Sequence, residues 1–231
     1  MLFRSYDVTM VQRSSTCVVS SEAITEIALA PLYAEGRPPV EDADLLLWSL
    51  PRRVHKRMQV ETTAAMCARD AATLAGLARA GFRLDAGPDR AGLFYKYFQR
   101  GGGYYIDVGC SRLLADGRIR LKQGCEVAEV TPDGLRFADG AHLPADELVF
   151  ATGYQNMRTQ TRELFGEAVA DRARDVWGFD DEGEWQTLWR RSGHPGLWFM
   201  GGNLALCRYY GRFLALQIKA LEEGLMTHDC T

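Results

Sequence analysis

The stretch Arg118–Tyr154, RIRLKQGCEVAEVTPDGLRFADGAHLPADELVFATGY, carries the clearest local architecture in the chain. Arg118–Lys122, Glu126–Val130 and Gly134–Phe137 each read as a short strand, with Pro132-Asp133 and Asp139-Gly140 supplying turns. Glu147–Ala151 reads as a final buried strand that ends in Thr152-Gly153. Strands this closely spaced predict a β-meander feeding a last strand.

Upstream, Leu93–Phe98 is aromatic-rich and Gly101-Gly102-Gly103 reads as a tight turn before a strand at Tyr104–Val108. The glycine triplet is not a phosphate loop, because no Gly-Lys-Ser/Thr follows it and no G-x-G-x-x-G spacing is present. Ser111–Ala115 predicts a short helix closed near Gly117. Pro51–Ala80 predicts one long helix, with proline in its first turn and Gly81 at its stop. Its opening run, Arg52, Arg53, His55, Lys56 and Arg57, admits an anion site. The favoured reading is a solvated helix face, because no aromatic or glycine-rich partner lies beside it in sequence.

Nearer the N-terminus, Tyr6–Gln12 (YDVTMVQ) reads as a buried strand and Ser20-Ser21 as the cap of a short helix reaching Leu29. Pro31 and Gly36–Pro39 break the chain into loop, and Asp44–Leu50 is a short apolar element stopped by Pro51. Downstream, Leu197–Met200 predicts a short buried strand. Asn203 suits the N-cap of a helix from Leu204 to Glu223, and Gly224 suits its end. That helix is apolar almost all round, which predicts burial on most of its sides.

The chain has 231 residues, 47% hydrophobic and 25% charged, with 27 Lys+Arg against 30 Asp+Glu. This composition excludes disorder, collagen and coiled coil as global classes, and the near balance of charge offers no field for nucleic acid or an anionic membrane. No apolar run is long enough for a membrane span, and the first residues lack the apolar core of a secretory signal. Cys17, Cys67, Cys110, Cys125, Cys207 and Cys230 form no C-x-x-C pair, so no metal site is expected. They read as six isolated buried thiols in a reducing, cytoplasmic compartment.

Three places admit ligand chemistry. Gln12-Arg13-Ser14 closes the opening strand, where a guanidinium and a hydroxyl suit a ribose 2′-phosphate. A strand-end arginine in solvent is the plainer alternative. Ala151-Thr152-Gly153-Tyr154 follows a buried strand, and its glycine lets backbone approach a ligand. Gly201-Gly202-Asn203 opens the last helix, whose free N–H groups suit a phosphate or the electron-rich edge of a reduced flavin. A capped turn explains it equally well. His142 and His194 read as turn residues, and no acid, base or nucleophile stands out as catalytic.

Taken in order, VTMVQRSS, YYIDVG, the meander with FADG, LVFATGY and GLWFMGGN before a long helix resemble the second half of the flavin-containing monooxygenases, nearest the YUCCA-like and bacterial or fungal branches. The resemblance implies an α/β chain with part of a two-dinucleotide-binding, Rossmann-like flavoprotein fold. Residues 1–150 would be the C-terminal part of an NADPH domain with a helical insertion, and residues 151–231 that of an FAD domain. It implies FAD and NADP as cofactors, a small organic substrate, and oxygen transfer through a flavin hydroperoxide.

On the same resemblance, Arg13 with Ser14 takes the 2′-phosphate. Ala151–Tyr154 is the crossing back to the FAD domain, and Gly202 and Asn203 lie where its last helix meets the flavin. The family's glycine-rich cofactor loops and its F-x-G-x-x-x-H fingerprint are missing. The chain therefore looks like a C-terminal piece with the N-terminal FAD half absent, expected to be inactive alone. A reductase of the same two-fold type and a noncatalytic remnant or interaction module are the alternatives. In the remnant reading, an open sheet edge favours self-association.

Overall fold

Parallel pairing of short strands and a short antiparallel sheet, with helices between them, make this a mixed α/β structure. The computed structural model describes residues Tyr6–Thr227. In chain order the elements are β1 (Thr9–Gln12), β2 (Cys17–Ser20), α1 (Ser21–Ala23), a π-helical turn (Ile24–Leu29), α2 (Ala30–Tyr33), α3 (Val40–Trp48), α4 (Arg52–Arg69) and α5 (Ala71–Arg79). Then come α6 (Gly92–Arg100), β3 (Tyr104–Asp107), α7 (Cys110–Ala115), β4 (Arg120–Gln123), β5 (Val127–Thr131), β6 (Gly134–Phe137) and β7 (His142–Pro144). The chain closes with α8 (Met157–Phe165), α9 (Glu167–Arg172) and α10 (Leu204–Glu222).

The chain forms two compact units. The first comprises Met1–Ala28, Val60–Leu93 and Gly103–Gly153, and the second comprises Leu29–Gln59, Phe94–Gly102 and Tyr154–Thr231.

In the first unit β1 runs parallel to β4, Thr9 opposite Arg120 through Gln12 opposite Gln123, and β2 runs parallel to β3. Val18, Leu77, Phe82 and Leu114 form its core, with Met10, Tyr105 and Leu121 packed against them. Each fully buried leucine contributes about 2 kcal/mol. Gly76 lets α5 lie close to α7, since a Cβ there would stand 3.1 Å from the Ala115 Cβ.

The expected single helix over Pro51–Ala80 is two, broken at Asp70. The Asp70 carboxylate accepts the Ser20 N–H and the Ser20 hydroxyl, both at 2.7 Å, while the Ser20 hydroxyl oxygen accepts the Ala23 N–H as the cap of α1. A long-range hydrogen bond thus overrides helix propensity at that point.

The meander is built differently from expectation. Arg120–Gln123 leaves it to pair with β1, and β5, β6 and β7 form the antiparallel sheet instead. Gly134 opens β6 with φ +152, and a Cβ there would lie 2.1 Å from the Leu143 carbonyl oxygen. Gly134→Ala is therefore expected to cost about 2–4 kcal/mol, combining a steric clash with backbone strain. Urea unfolding followed by far-UV circular dichroism reads this, and an unchanged midpoint would contradict it.

Two expected strands do not form. Glu147–Ala151 is irregular, with Val149 91% and Phe150 68% exposed. A strand apolar on both faces needs neighbours on both edges, and no described strand pairs with it. Leu197–Met200 makes only isolated bridges, Phe199 with Leu188 and Trp198 with Arg191, and Met200 is exposed. The opening strand is shorter than expected and only half-buried, with Tyr6 and Val8 exposed.

In the second unit Phe98 is fully buried and its ring meets those of Trp48, His55, Tyr95, Phe179 and Trp185. Helix α10 is capped by Asn203, whose side-chain oxygen accepts the Leu206 N–H at 3.0 Å, and Gly224 follows it at φ +67. Its expected burial on most sides is not observed. Leu206 and Leu214 are buried, whereas Leu204, Phe213 and Leu216 are exposed. Within this unit α3 and the tryptophan-bearing segment reach one side of α10, through Arg208 to Asp44, Tyr210 to the Trp48 carbonyl and Gln217 to the Trp189 carbonyl.

Among the described cysteines only Cys17 is buried, and Cys67, Cys110, Cys125 and Cys207 are half-buried free thiols. Cys230 lies outside the described residues. Among the described residues no helix is long and apolar enough to cross a membrane.

Candidate functional site

Arg13 and Ser14 stand on an exposed turn directly after the carboxyl end of β1. The turn is held by Gln12, whose buried side-chain amide donates to the Arg83 carbonyl at 2.9 Å and to the Thr16 hydroxyl at 3.2 Å. Its oxygen accepts the Arg83 N–H at 2.9 Å. The fork of Gln12 thus engages both hydrogen-bonding groups of one backbone residue, and the Arg13 guanidinium makes no ion pair among the described residues. Sequence reading placed Gln12 beside Arg13 and Ser14 but did not foresee its side chain as the clamp of the turn. The only local signal was a polar residue closing an otherwise apolar strand.

Ala151, Thr152, Gly153 and Tyr154 are all exposed and irregular, and Gly153 takes φ +86. The first three belong to the first unit and Tyr154 to the second.

Gly202 and Asn203 lie together in the second unit at the head of α10, a helix of 19 residues. Gly202 adopts φ +93, and a Cβ there would come within 2.7 Å of Leu206 Cδ1 and 2.8 Å of the Tyr97 hydroxyl oxygen. Asn203 caps the Leu206 amide, and the N–H groups of Leu204 and Ala205, at the positive end of the helix, have no hydrogen-bond acceptor among the described residues.

The charge run at the head of α4 departs from the solvated face expected of it. Arg53 and Arg57 are exposed, but Arg52 is half-buried and His55 is 1% exposed. The Arg52 Cζ stands 4.5 Å from the Trp185 ring centre, 5.0 Å from Phe179, 5.8 Å from Phe98 and 6.0 Å from Tyr210. Its Nη2 donates to the Tyr210 hydroxyl at 2.7 Å. These ring partners come from segments distant in the chain, so no window around Arg52 displays them.

The Tyr95 hydroxyl donates to the Arg52 carbonyl at 3.0 Å and lies 3.2 Å from His55 Nδ1. Burial, with the Arg52 charge adding to it, pushes the His55 imidazole down to about 4, and burial pushes the Tyr95 phenol up to about 12. At neutral pH the buried parts of this cluster are uncharged and Arg52 carries its positive charge. Trp177, Thr187 and Trp189, in the segment that supplies Trp185, hold φ +77, +71 and +62, left-handed conformations that cost about 1–3 kcal/mol each.

His194 sits in a bend as expected. His142 instead lies in β7, with Nε2 3.3 Å from Asp133 Oδ1 and 3.3 Å from the Thr131 hydroxyl oxygen, a partner that the intervening turn kept out of sight in the sequence. Among the described residues no cluster of His, Cys, Asp or Glu is arranged to hold a metal ion.

No family model matches the chain. A stretch of 51 residues is 39% identical to the probable indole-3-pyruvate monooxygenase YUCCA1 of Arabidopsis thaliana, covering 22% of this chain and 12% of that protein. A stretch of 96 residues is 30% identical to the indole-3-pyruvate monooxygenase YUCCA8 of Oryza sativa, in both subspecies indica and japonica, covering 42% of this chain and 21% of the relative. The matches thus span about a fifth or less of those relatives' own length.

Proposed function

We propose that the chain is the C-terminal part of an FAD- and NADPH-dependent monooxygenase that oxidises a small organic substrate, the class to which the relatives' indole-3-pyruvate belongs. Residues 1–150 then carry part of the NADPH domain and residues 151–231 part of the FAD domain, with Ala151–Tyr154 as the crossing between them. The observation that carries the reading is Arg13, an unpaired guanidinium on a turn clamped by Gln12 at the carboxyl end of a parallel strand. Ligands of open α/β sheets bind beyond such strand ends.

The residues present fit both cofactors at the points available. The planar fork of Arg13 suits the oxygens of a ribose 2′-phosphate, and the Ser14 hydroxyl adds a donor beside it. Gly202 presents no side chain, and the open amides of Leu204 and Ala205 suit the electron-rich edge of a flavin. Bound together, NADPH and FAD supply the hydride and the activation of oxygen. The chain's own residues bind and orient, and none is assigned a proton-transfer role.

Arg13→Ala is expected to weaken NADPH binding by about 10-fold or more, the worth of a charge-assisted hydrogen-bond pair. NADH binding should stay within about 2-fold, because the lost contacts go to a phosphate that NADH lacks. Calorimetric titration of the full chain with each nucleotide reads the difference. Equal loss for both would remove Arg13 from the phosphate.

A further inference from the structure

Charge is nearly balanced over the whole chain, but residues 45–59 hold four cations, Arg52, Arg53, Lys56 and Arg57, and no carboxylate. This stretch lies within the second unit and folds as the last turn of α3, a link of residues 49–51 and the opening turns of α4. Two of its cations are engaged inside the unit. Arg52 lies against the Trp185 ring and donates to the Tyr210 hydroxyl, and the Lys56 Nζ stands 5.6 Å from the Tyr95 ring centre. Arg53 and Arg57, one turn apart, are both exposed.

The same stretch leaves large apolar side chains outside. Leu45 is 57% exposed, Leu46 56%, Met58 46% and Val54 45%. Helix period explains their placement. In α3 the buried residues are Ala43, Asp44 and Trp48, so Leu45 and Leu46 turn away from the packed side. In α4, His55 and Gln59 are buried, while Val54 and Met58 stand one turn apart beside Arg53 and Arg57 on the outer side. All six side chains start within about 10 Å of axial rise from the link. Leucines exposed singly are ordinary, whereas apolar side chains gathered beside exposed cations mark a surface for a partner.

We propose that the corner between α3 and α4 docks on an anionic phospholipid surface. Charge complementarity selects this occupant. The two guanidinium groups take up headgroup anions, and the four apolar side chains enter the boundary between headgroup and acyl chain. The first turn of α4 contains no acidic side chain, so the positive end of that helix reinforces the attraction. Glu41 and Asp42 lie in the first turn of α3, away from the link, and the Asp44 carboxylate is closed off by Arg208. A nucleic acid would satisfy the arginines and leave the leucines in water. A second copy meeting this patch about a two-fold axis would set like charges against each other. Such docking needs no spanning helix.

The test is co-sedimentation of the full chain, without flavin or nucleotide, with two kinds of vesicle at about 0.1 M salt. One kind is phosphatidylcholine alone, and the other contains about 30% phosphatidylserine. Binding to the anionic vesicles is expected to be at least about 10-fold tighter, and to fall toward the neutral value at about 0.5 M salt. On anionic vesicles Arg53→Gln with Arg57→Gln should lose at least about 10-fold, and Leu45→Ser with Leu46→Ser at least about 5-fold. All four side chains are exposed, so each double variant should keep the parent's urea midpoint by tryptophan fluorescence. Equal partition onto the two kinds of vesicle overturns the proposal and needs no variant. Anionic binding that the leucine substitutions leave unchanged is bare charge attraction and overturns it too. So does a solution dimer that those substitutions dissociate, because the patch then belongs to a second copy. Since no cofactor is present, failure here is separate from failure of the NADPH and NADH comparison at Arg13.

Discussion

Arg208→Ala is expected to destabilise the second unit by about 3 kcal/mol, more than Asp44→Leu does, although both changes break the same ion pair. Asp44 is 3% exposed and sits in a bidentate contact with Arg208, Oδ2 to Nε at 2.6 Å and Oδ1 to Nη2 at 2.7 Å, with the Tyr33 hydroxyl donating to Oδ1 at 2.9 Å. Removing Arg208 leaves a carboxylate in the interior with one neutral partner. Removing Asp44 leaves a partly solvated guanidinium, which water satisfies. The Arg208 guanidinium holds the Asp44 carboxyl below its ordinary range, while burial and the Asp44 carboxylate push the Tyr33 phenol up to about 12.

All five tryptophans, Trp48, Trp177, Trp185, Trp189 and Trp198, lie in the second unit, so urea unfolding followed by their fluorescence reads that unit. Equal midpoints for the two single variants would overturn the asymmetry. The double variant Asp44→Leu with Arg208→Leu should recover most of the loss, as replacement of a buried pair by apolar groups often does.

Acidification is expected to weaken the same unit through His55. The ordinary histidine value is 6.5, and burial lowers it to about 4 in the folded chain, with Arg52 adding to the shift. The unfolded chain therefore takes up the proton first as pH falls. The stability associated with neutral His55 is fully present above pH 6.5, declines below that, and is gone once pH passes below about 4. The linkage amounts to about 3 kcal/mol in total, of which about 2–3 kcal/mol is lost between pH 7 and pH 4.5. His55→Gln removes the titrating group, so the fluorescence midpoint of that variant should change much less over this range. Parallel pH dependences for the two proteins would show that His55 does not control it.

Much of the secondary structure was legible because its signals are short-range. The Ser20 and Asn203 caps, the left-handed glycines at Gly81, Gly117 and Gly224, and the Pro132-Asp133 turn each depend on residues within about a helical turn. Arg13 was likewise visible as a cation directly after a strand. The break at Asp70 was not, since its cause is Ser20, 50 residues away.

Apolar runs were read less well. Glu147–Ala151 and the outer face of α10 have the composition of buried elements, yet both are exposed within their own units. Hydrophobicity states what a segment gains by being covered, and only the packing says whether anything covers it.

By itself, then, the amino-acid sequence determined the α/β class, most element positions, the helix ends and the strand-end arginine, because these follow from backbone sterics and hydrogen bonds between near neighbours. Tertiary structure alone decided that β4 pairs with β1, that Gln12 clamps the Arg13 turn and that Arg52 is ringed by aromatic side chains. The Arg52–Tyr210 and Asp44–Arg208 contacts join residues 158 and 164 positions apart. Such contacts arise when chain closure is offset by burial summed over the whole unit, and no local pattern of residues encodes that sum.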